Sequence, residues 1–96
     1  MILLTTRDAM ENFIRDINER MELAKKELDE TNRNGYNVDS EYSAAQVGLE
    51  QAEAEIEQMK LSANAQQKEQ LHRLHLQVSR LLNDMYLDEN DLNQYS

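Results

Sequence analysis

The sequence predicts an all-α protein, an antiparallel up-down-up three-helix bundle, and three observations predict it. The 96-residue chain has no proline and two glycines, Gly35 and Gly48, so the main breakers of regular structure are nearly absent. Good helix formers (Ala, Leu, Glu, Gln, Lys, Arg and Met) dominate, while aromatics make up only 5%, a balance that disfavours a sheet. Apolar residues recur at steps of three and four in three successive segments, which keeps each set on one helix face. The length fits one domain with one small core. We expect a single helical domain over residues 1–87, with helices at about 6–33, 40–61 and 65–87, and an acidic disordered tail at 88–96.

The first helix carries the stripe Met10, Ile14, Ile17, Met21, Ala24 and Leu28, widened by Phe13. Thr5 or Thr6 can cap its start, and Asp8 suits the positive end of the helix dipole. Glu11 and Arg15, Asp16 and Arg20, and Glu22 and Lys26 each place an acid four residues before a base, the supportive orientation. The run Thr31-Asn32-Arg33-Asn34-Gly35 ends the helix, with Gly35 suited to the left-handed residue beyond a helix C-terminus. Asn34-Gly35 also occurs in β-hairpins, but the flanks lack the alternation a hairpin needs.

The second helix starts at Asp39 or Ser40, both good caps, and carries Tyr42, Ala45, Leu49, Ala52, Ile56 and Met59. Gly48 inside it costs about 0.5–1 kcal/mol relative to alanine; close packing or plain tolerance would account for it. The third stripe is Leu71, Leu74, Val78, Leu81 and Met85, out of phase with the second, because continuing the second would place apolar residues where Gln66, Gln70 and Arg73 stand. Asn64 with Gln67 three residues later resembles a capping box, which predicts a tight turn at 61–65. The alternative is a helical hairpin with one long second helix of about 50 residues that dimerises. Short connections make sequential helices antiparallel, so the molecule should be a rod.

A formal net charge of −9 repels phosphate backbones and anionic membrane surfaces, so nucleic acid and membrane are not expected as partners. The absence of cysteine excludes disulfides and thiolate chemistry. The start, Met1-Ile2-Leu3-Leu4-Thr5-Thr6, is too short in apolar residues and lacks the preceding base of a signal peptide, and no stretch approaches the ~20 apolar residues of a membrane span. The expected location is cytoplasmic.

Glu69-x-x-His72 is half of a carboxylate-bridged di-metal motif. That chemistry needs the pair inside a bundle, yet with Leu71 and Leu74 facing inward both residues face solvent, and no second copy of the motif exists. We therefore expect no metal and no other cofactor. His75, one turn on, falls on the shoulder of the third stripe, where it either covers the core edge or titrates near neutral pH at an interface. Glu50, Glu53, Glu55 and Glu57 form a run without a base until Lys60; it reads as a solvated acidic face or a surface for a basic partner. The two glycines are isolated, so no phosphate loop exists. No base-and-orienter arrangement activates a hydroxyl, and a thin bundle has little room for a small-molecule pocket. No catalytic residue is assigned and no enzyme is expected. Leu23, Val47, Leu76, Leu82 and Leu87 lie off the stripes or on their shoulders, with Ile2, Leu3 and Leu4 beyond them. Clustered, such residues mark an interface, and Leu76 and Leu82 are the foremost candidates.

Two segments carry a family resemblance. Glu41-Tyr42-Ser43-Ala44-Ala45-Gln46-Val47-Gly48-Leu49-Glu50 and Leu61-Ser62-Ala63-Asn64-Ala65-Gln66-Gln67-Lys68-Glu69-Gln70-Leu71 resemble the YtzC-like family, short uncharacterised proteins of Gram-positive spore-forming bacteria, over roughly residues 40 to 87. The resemblance implies a bacterial cytosolic protein and carries no functional residue with it.

The expectation for function is a non-enzymatic helical protein that binds a protein partner, or its own copy as a homodimer, through a helix face. Alternatives are a metal- or ligand-handling bundle, in which Glu69, His72 and His75 meet a second copy's acids, and a purely structural rod.

Overall fold

Two capping motifs set where the helices begin. The Thr6 hydroxyl accepts a hydrogen bond from the Ala9 backbone N–H at 3.1 Å, satisfying one of the donors a helix start leaves unpaired. At Asn64 the bonding is reciprocal: the Gln67 N–H donates to Asn64 Oδ1 at 2.8 Å, and the Asn64 N–H donates to Gln67 Oε1 at 3.0 Å. This capping box stops one helix from running through and starts the next. In the computed structural model the helices are α1 (Arg7–Arg33), α2 (Ser40–Lys60) and α3 (Ala65–Gln94). The structure describes residues 6–33 and 40–94, with the backbone alone for 31–33 and 88–94. The expected helix stop at Asn34-Gly35, the Thr5 and Asp39 caps and the apolar trio Ile2, Leu3 and Leu4 lie outside the described residues.

The turn at 61–64 decides against the single long helix. Leu61, Ser62 and Ala63 donate backbone hydrogen bonds to Gln58, Met59 and Lys60, a tightened last turn that reverses the chain. Contacts along the seams give the directions. Arg20 meets Gly48 and Glu55 of α2, and Tyr42, Glu53 and Glu57 of α2 meet Met85, Ser79 and His75 of α3. Sequence numbers rise on α2 as they fall on α3, so these two are antiparallel; Met10 lies beside Gln70 and Met21 beside Leu81, so α1 runs parallel to α3 and antiparallel to α2. All three pairs of helices pack together. The bundle measures 54 × 19 × 18 Å, the rod that helices of 27, 21 and 30 residues make.

The core is the three stripes closing on one another. Met10, Ile17, Met21 and Ala24 of α1 meet Tyr42, Ala45, Leu49, Ala52 and Ile56 of α2, and Leu71, Leu74, Val78, Leu81 and Met85 of α3. Phe13, Ile14, Leu28 and Met59 pack against it, partly buried. Ala63, in the turn, is buried too.

Two expectations need correcting. Leu82, expected off the stripe as an interface residue, is 3% exposed and belongs to the core. The α3 contact face is wider than a two-position stripe, so the residue beside Leu81 is covered as well; apolar stripes of globular helices commonly take this third position. The chain at 88–94, expected as a disordered tail, continues α3 as far as Gln94. No proline or glycine follows Gly48, so nothing in the backbone chemistry stops the helix at 87.

Gly48 is answered as well. A β-carbon built there would have no neighbour within 4 Å, so close packing does not account for the residue; α2 tolerates it.

Candidate docking faces

The inner contacts come first, because they decide which side chains remain free. Between α1 and α2, Arg20 donates to Glu55 Oε2 at 2.6 Å, to Asp16 Oδ2 at 2.8 Å and to the Gly48 carbonyl at 3.5 Å. Glu55, above all by its hydrogen bond, holds the guanidinium's proton more firmly than usual, against the opposing effect of partial burial. Between α2 and α3, the buried Tyr42 hydroxyl donates to the Met85 carbonyl at 3.0 Å. Glu53 Oε2 accepts from the Ser79 hydroxyl at 2.8 Å and lies 3.1 Å from His75 Nε2, while Glu57 Oε1 lies 3.0 Å from His75 Nδ1. Lys60 bonds Glu57 at 3.2 Å, and this contact, ahead of His75, holds the Glu57 carboxyl below its ordinary value. Partial desolvation, then the Glu50 carboxylate, pushes the Tyr86 hydroxyl upward.

The four acids of the run therefore do not make one face. A helix turns about 100° per residue, which puts Glu50, Glu53 and Glu57 on the side of α2 toward α3 and Glu55 on the side toward α1. All four are engaged: Glu53 and Glu57 with α3, Glu55 with Arg20, and Glu50 with the Tyr86 hydroxyl. His75 sits on the core shoulder, where it spans two acids of the neighbouring helix.

The apolar candidates do not form one patch either. Leu23 (57% exposed) stands on α1, Val47 (49%) on α2, and Leu76 (58%) and Leu87 (53%) on α3, each turned away from the shared core. Leu61, at 77%, is the most exposed large apolar residue described and was not singled out from sequence. Gln46 and Glu27, each 8% exposed, are buried polar residues that stripe counting also passed over.

One outer face differs from the rest. Ala44, Val47, Gln51, Ala54, Gln58 and Leu61 are all exposed, and each lies two residues beyond a member of the α2 core stripe. The first five form a second stripe of threes and fours on the opposite side of the same helix, and Leu61 follows in the turn just beyond it. None is charged, although 30% of the chain is, so about two charges would be expected among six positions. Glu50 and Glu57 border this stripe on one side and Glu55 on the other.

Glu69-x-x-His72 lies where its register put it. Glu69 pairs with Arg73 at 2.7 Å on the exposed surface, and His72 is exposed. Among the described residues no group of three His, Cys, Asp or Glu side chains is placed to hold a metal ion. No helix of the described residues is long and apolar enough to cross a membrane. An open cleft of ≈ 480 Å³ separates the starts of α1 and α3, lined by Arg7, Met10, Glu11, Ile14 and the amide side chains of Asn64, Gln66, Gln67 and Gln70. Arg7 and Glu11 pair with each other at 3.2 Å, and Asn64 and Gln67 are engaged in the cap, so the groups nearest to chemistry there are already satisfied.

The sequence model of a family described as "Protein of unknown function (DUF2524)" matches residues 4–87, a span that reaches back through α1. The chain is 33% identical over 84 residues to "Uncharacterized protein YtzC" of Bacillus subtilis (strain 168), covering 88% of this chain and 93% of that one. No solved structure matches it.

Proposed function

The chain belongs to the YtzC-like family, DUF2524, a family of unknown function, and from that premise we propose that it is a non-enzymatic interaction protein. Its bundle presents the outer face of α2 to another protein. The observation that carries this reading is the uncharged, exposed heptad stripe Ala44, Val47, Gln51, Ala54, Gln58 and Leu61. A helix side with apolar or small residues at this spacing is what a partner helix packs on. Scattered exposed leucines elsewhere are ordinary for a small protein. We place the protein in the cytosol, an assignment that imaging a fluorescent fusion in the native host checks.

The test uses a photo-crosslinking residue at Gln51, on the stripe, and at Glu19, on the outer side of α1. Irradiation in cells of the native host should give a protein adduct from position 51 and none from position 19. Adducts from both positions alike, or from position 19 only, would sink the assignment of α2 as the docking face.

A further inference from the structure

The seam between α2 and α3 holds a charge arrangement that the docking face does not use. We infer that His75 is a pH-operated clasp: as an imidazolium it holds Glu53 and Glu57 of α2 together, and on losing a proton it keeps Glu53 and releases Glu57.

The donors and acceptors carry the first half. His75 Nε2 lies 3.1 Å from Glu53 Oε2, and Nδ1 lies 3.0 Å from Glu57 Oε1. An ionised carboxylate only accepts hydrogen bonds, and a neutral imidazole has one N–H and one lone pair. A neutral ring in this position would turn its lone pair toward a carboxylate. The imidazolium has a donor at each nitrogen and satisfies both acids at once, through bonds stronger than those between neutral groups. With its side chain 26% exposed, His75 is held on the seam and still trades protons with water.

The unequal surroundings of the two acids carry the second half. Glu53 Oε2 also accepts from the Ser79 hydroxyl at 2.8 Å, and its side chain is 34% exposed. Glu57 is 58% exposed and has Lys60 at 3.2 Å as a further partner. When one ring proton leaves, Glu57 loses less by turning away, because Lys60 and water are at hand. The neutral ring then keeps its proton on Nε2, toward Glu53.

The other charged groups nearby offer the two acids no substitute for the ring. On α3 itself, the exposed His72 stands one turn earlier, and Tyr86 is turned to Glu50. The α1 pair of Asp16 and Arg20 meets α2 at Glu55, on its other side. The clasp is therefore closed on the acid side of the imidazole range and opens as pH rises through it. The opening frees a carboxylate at the end of α2, just before the turn at 61–64.

The experiment titrates the full chain, isotope-labelled, by nuclear magnetic resonance from about pH 5.5 to about pH 8.5, with His72 as the internal comparison. At the acid end both ring N–H protons of His75 should give hydrogen-bonded signals that the exposed His72 ring lacks. At the alkaline end the Nδ1 signal should be lost and the neutral His75 ring should carry its proton on Nε2. The Glu57 carboxyl carbon should move with the same midpoint, and that of Glu53 should move less. His75→Gln should abolish the Glu57 step, His72→Gln should leave it in place, and Glu57→Ala should remove the bonded Nδ1 signal alone, with circular dichroism confirming that each variant is helical. Absence of bonded ring signals at the acid end, a neutral ring protonated on Nδ1, or a Glu57 step that survives His75→Gln would overturn the clasp. The protonation pattern of the unaltered ring decides the matter even where a variant fails to fold.

Discussion

The outer sides of α1 and α2 occupy equivalent places in the bundle and are built from opposite materials. On α1 the positions two beyond the core stripe are Asn12, Asp16, Glu19, Leu23, Lys26 and Glu30, four of the six charged. On α2 they are Ala44, Val47, Gln51, Ala54 and Gln58, followed by Leu61 in the turn, with no charge among them. Both helices bury a similar stripe on the inward side, so packing within the bundle does not account for the difference. A helix whose outward side only meets water is kept soluble by charge, as α1 is. The contrast teaches that the informative face of α2 is the one its own core does not use.

Three substitutions sharpen or break this contrast. The largest effect belongs to the inward side of α2. Ile56→Ala removes a fully buried side chain and should lower stability by about 2–5 kcal/mol, read from denaturant unfolding. A cost below 1 kcal/mol would mean that the inner stripe is not what holds α2 in the bundle. Gly48→Ala should act in the other direction. With open space around the added β-carbon, the variant should gain about 0.5–1 kcal/mol from helix propensity, seen as a higher Tm. A lower Tm would show that the glycine serves the backbone near the Arg20 contact. The smallest effect belongs to the outward side. Val47→Lys should change stability by no more than about 0.5 kcal/mol, since Val47 takes no part in the core, and should weaken whatever packs on the stripe. A large loss of stability would place Val47 in an intramolecular contact and remove it from the docking face.

The fold was legible in the sequence where its cause is local. The alternation of threes and fours named nearly every core residue, from Met10 through Ile56 to Met85. Asn64 and Gln67 marked the turn because a capping box is written in two side chains three residues apart. What escaped was set between helices. Leu82 is buried because α3 presents a broad face to its neighbours, and no count along one helix reveals how wide that face must be. The end of α3 was placed too early because polarity was taken as a stop, whereas a helix without glycine or proline can continue through acidic residues. The site was less legible than the fold. Glu50, Glu53, Glu55 and Glu57 looked like one surface on paper, yet helical geometry sends Glu55 to Arg20 and the others toward α3. Val47 was visible as an apolar residue out of register. Its stripe was not, because alanine and glutamine carry no apolar signal and become informative only once the exposed side of the bundle is known.

Three is an odd number of antiparallel helices, and this has a practical consequence. The start of α1 and the end of α3 sit at opposite ends of a rod 54 Å long. Dyes attached at Arg7 and near Gln94 would form a molecular ruler. Energy transfer between them should hold at one fixed value while the bundle is intact, and any rearrangement that folds the rod on itself would brighten the acceptor.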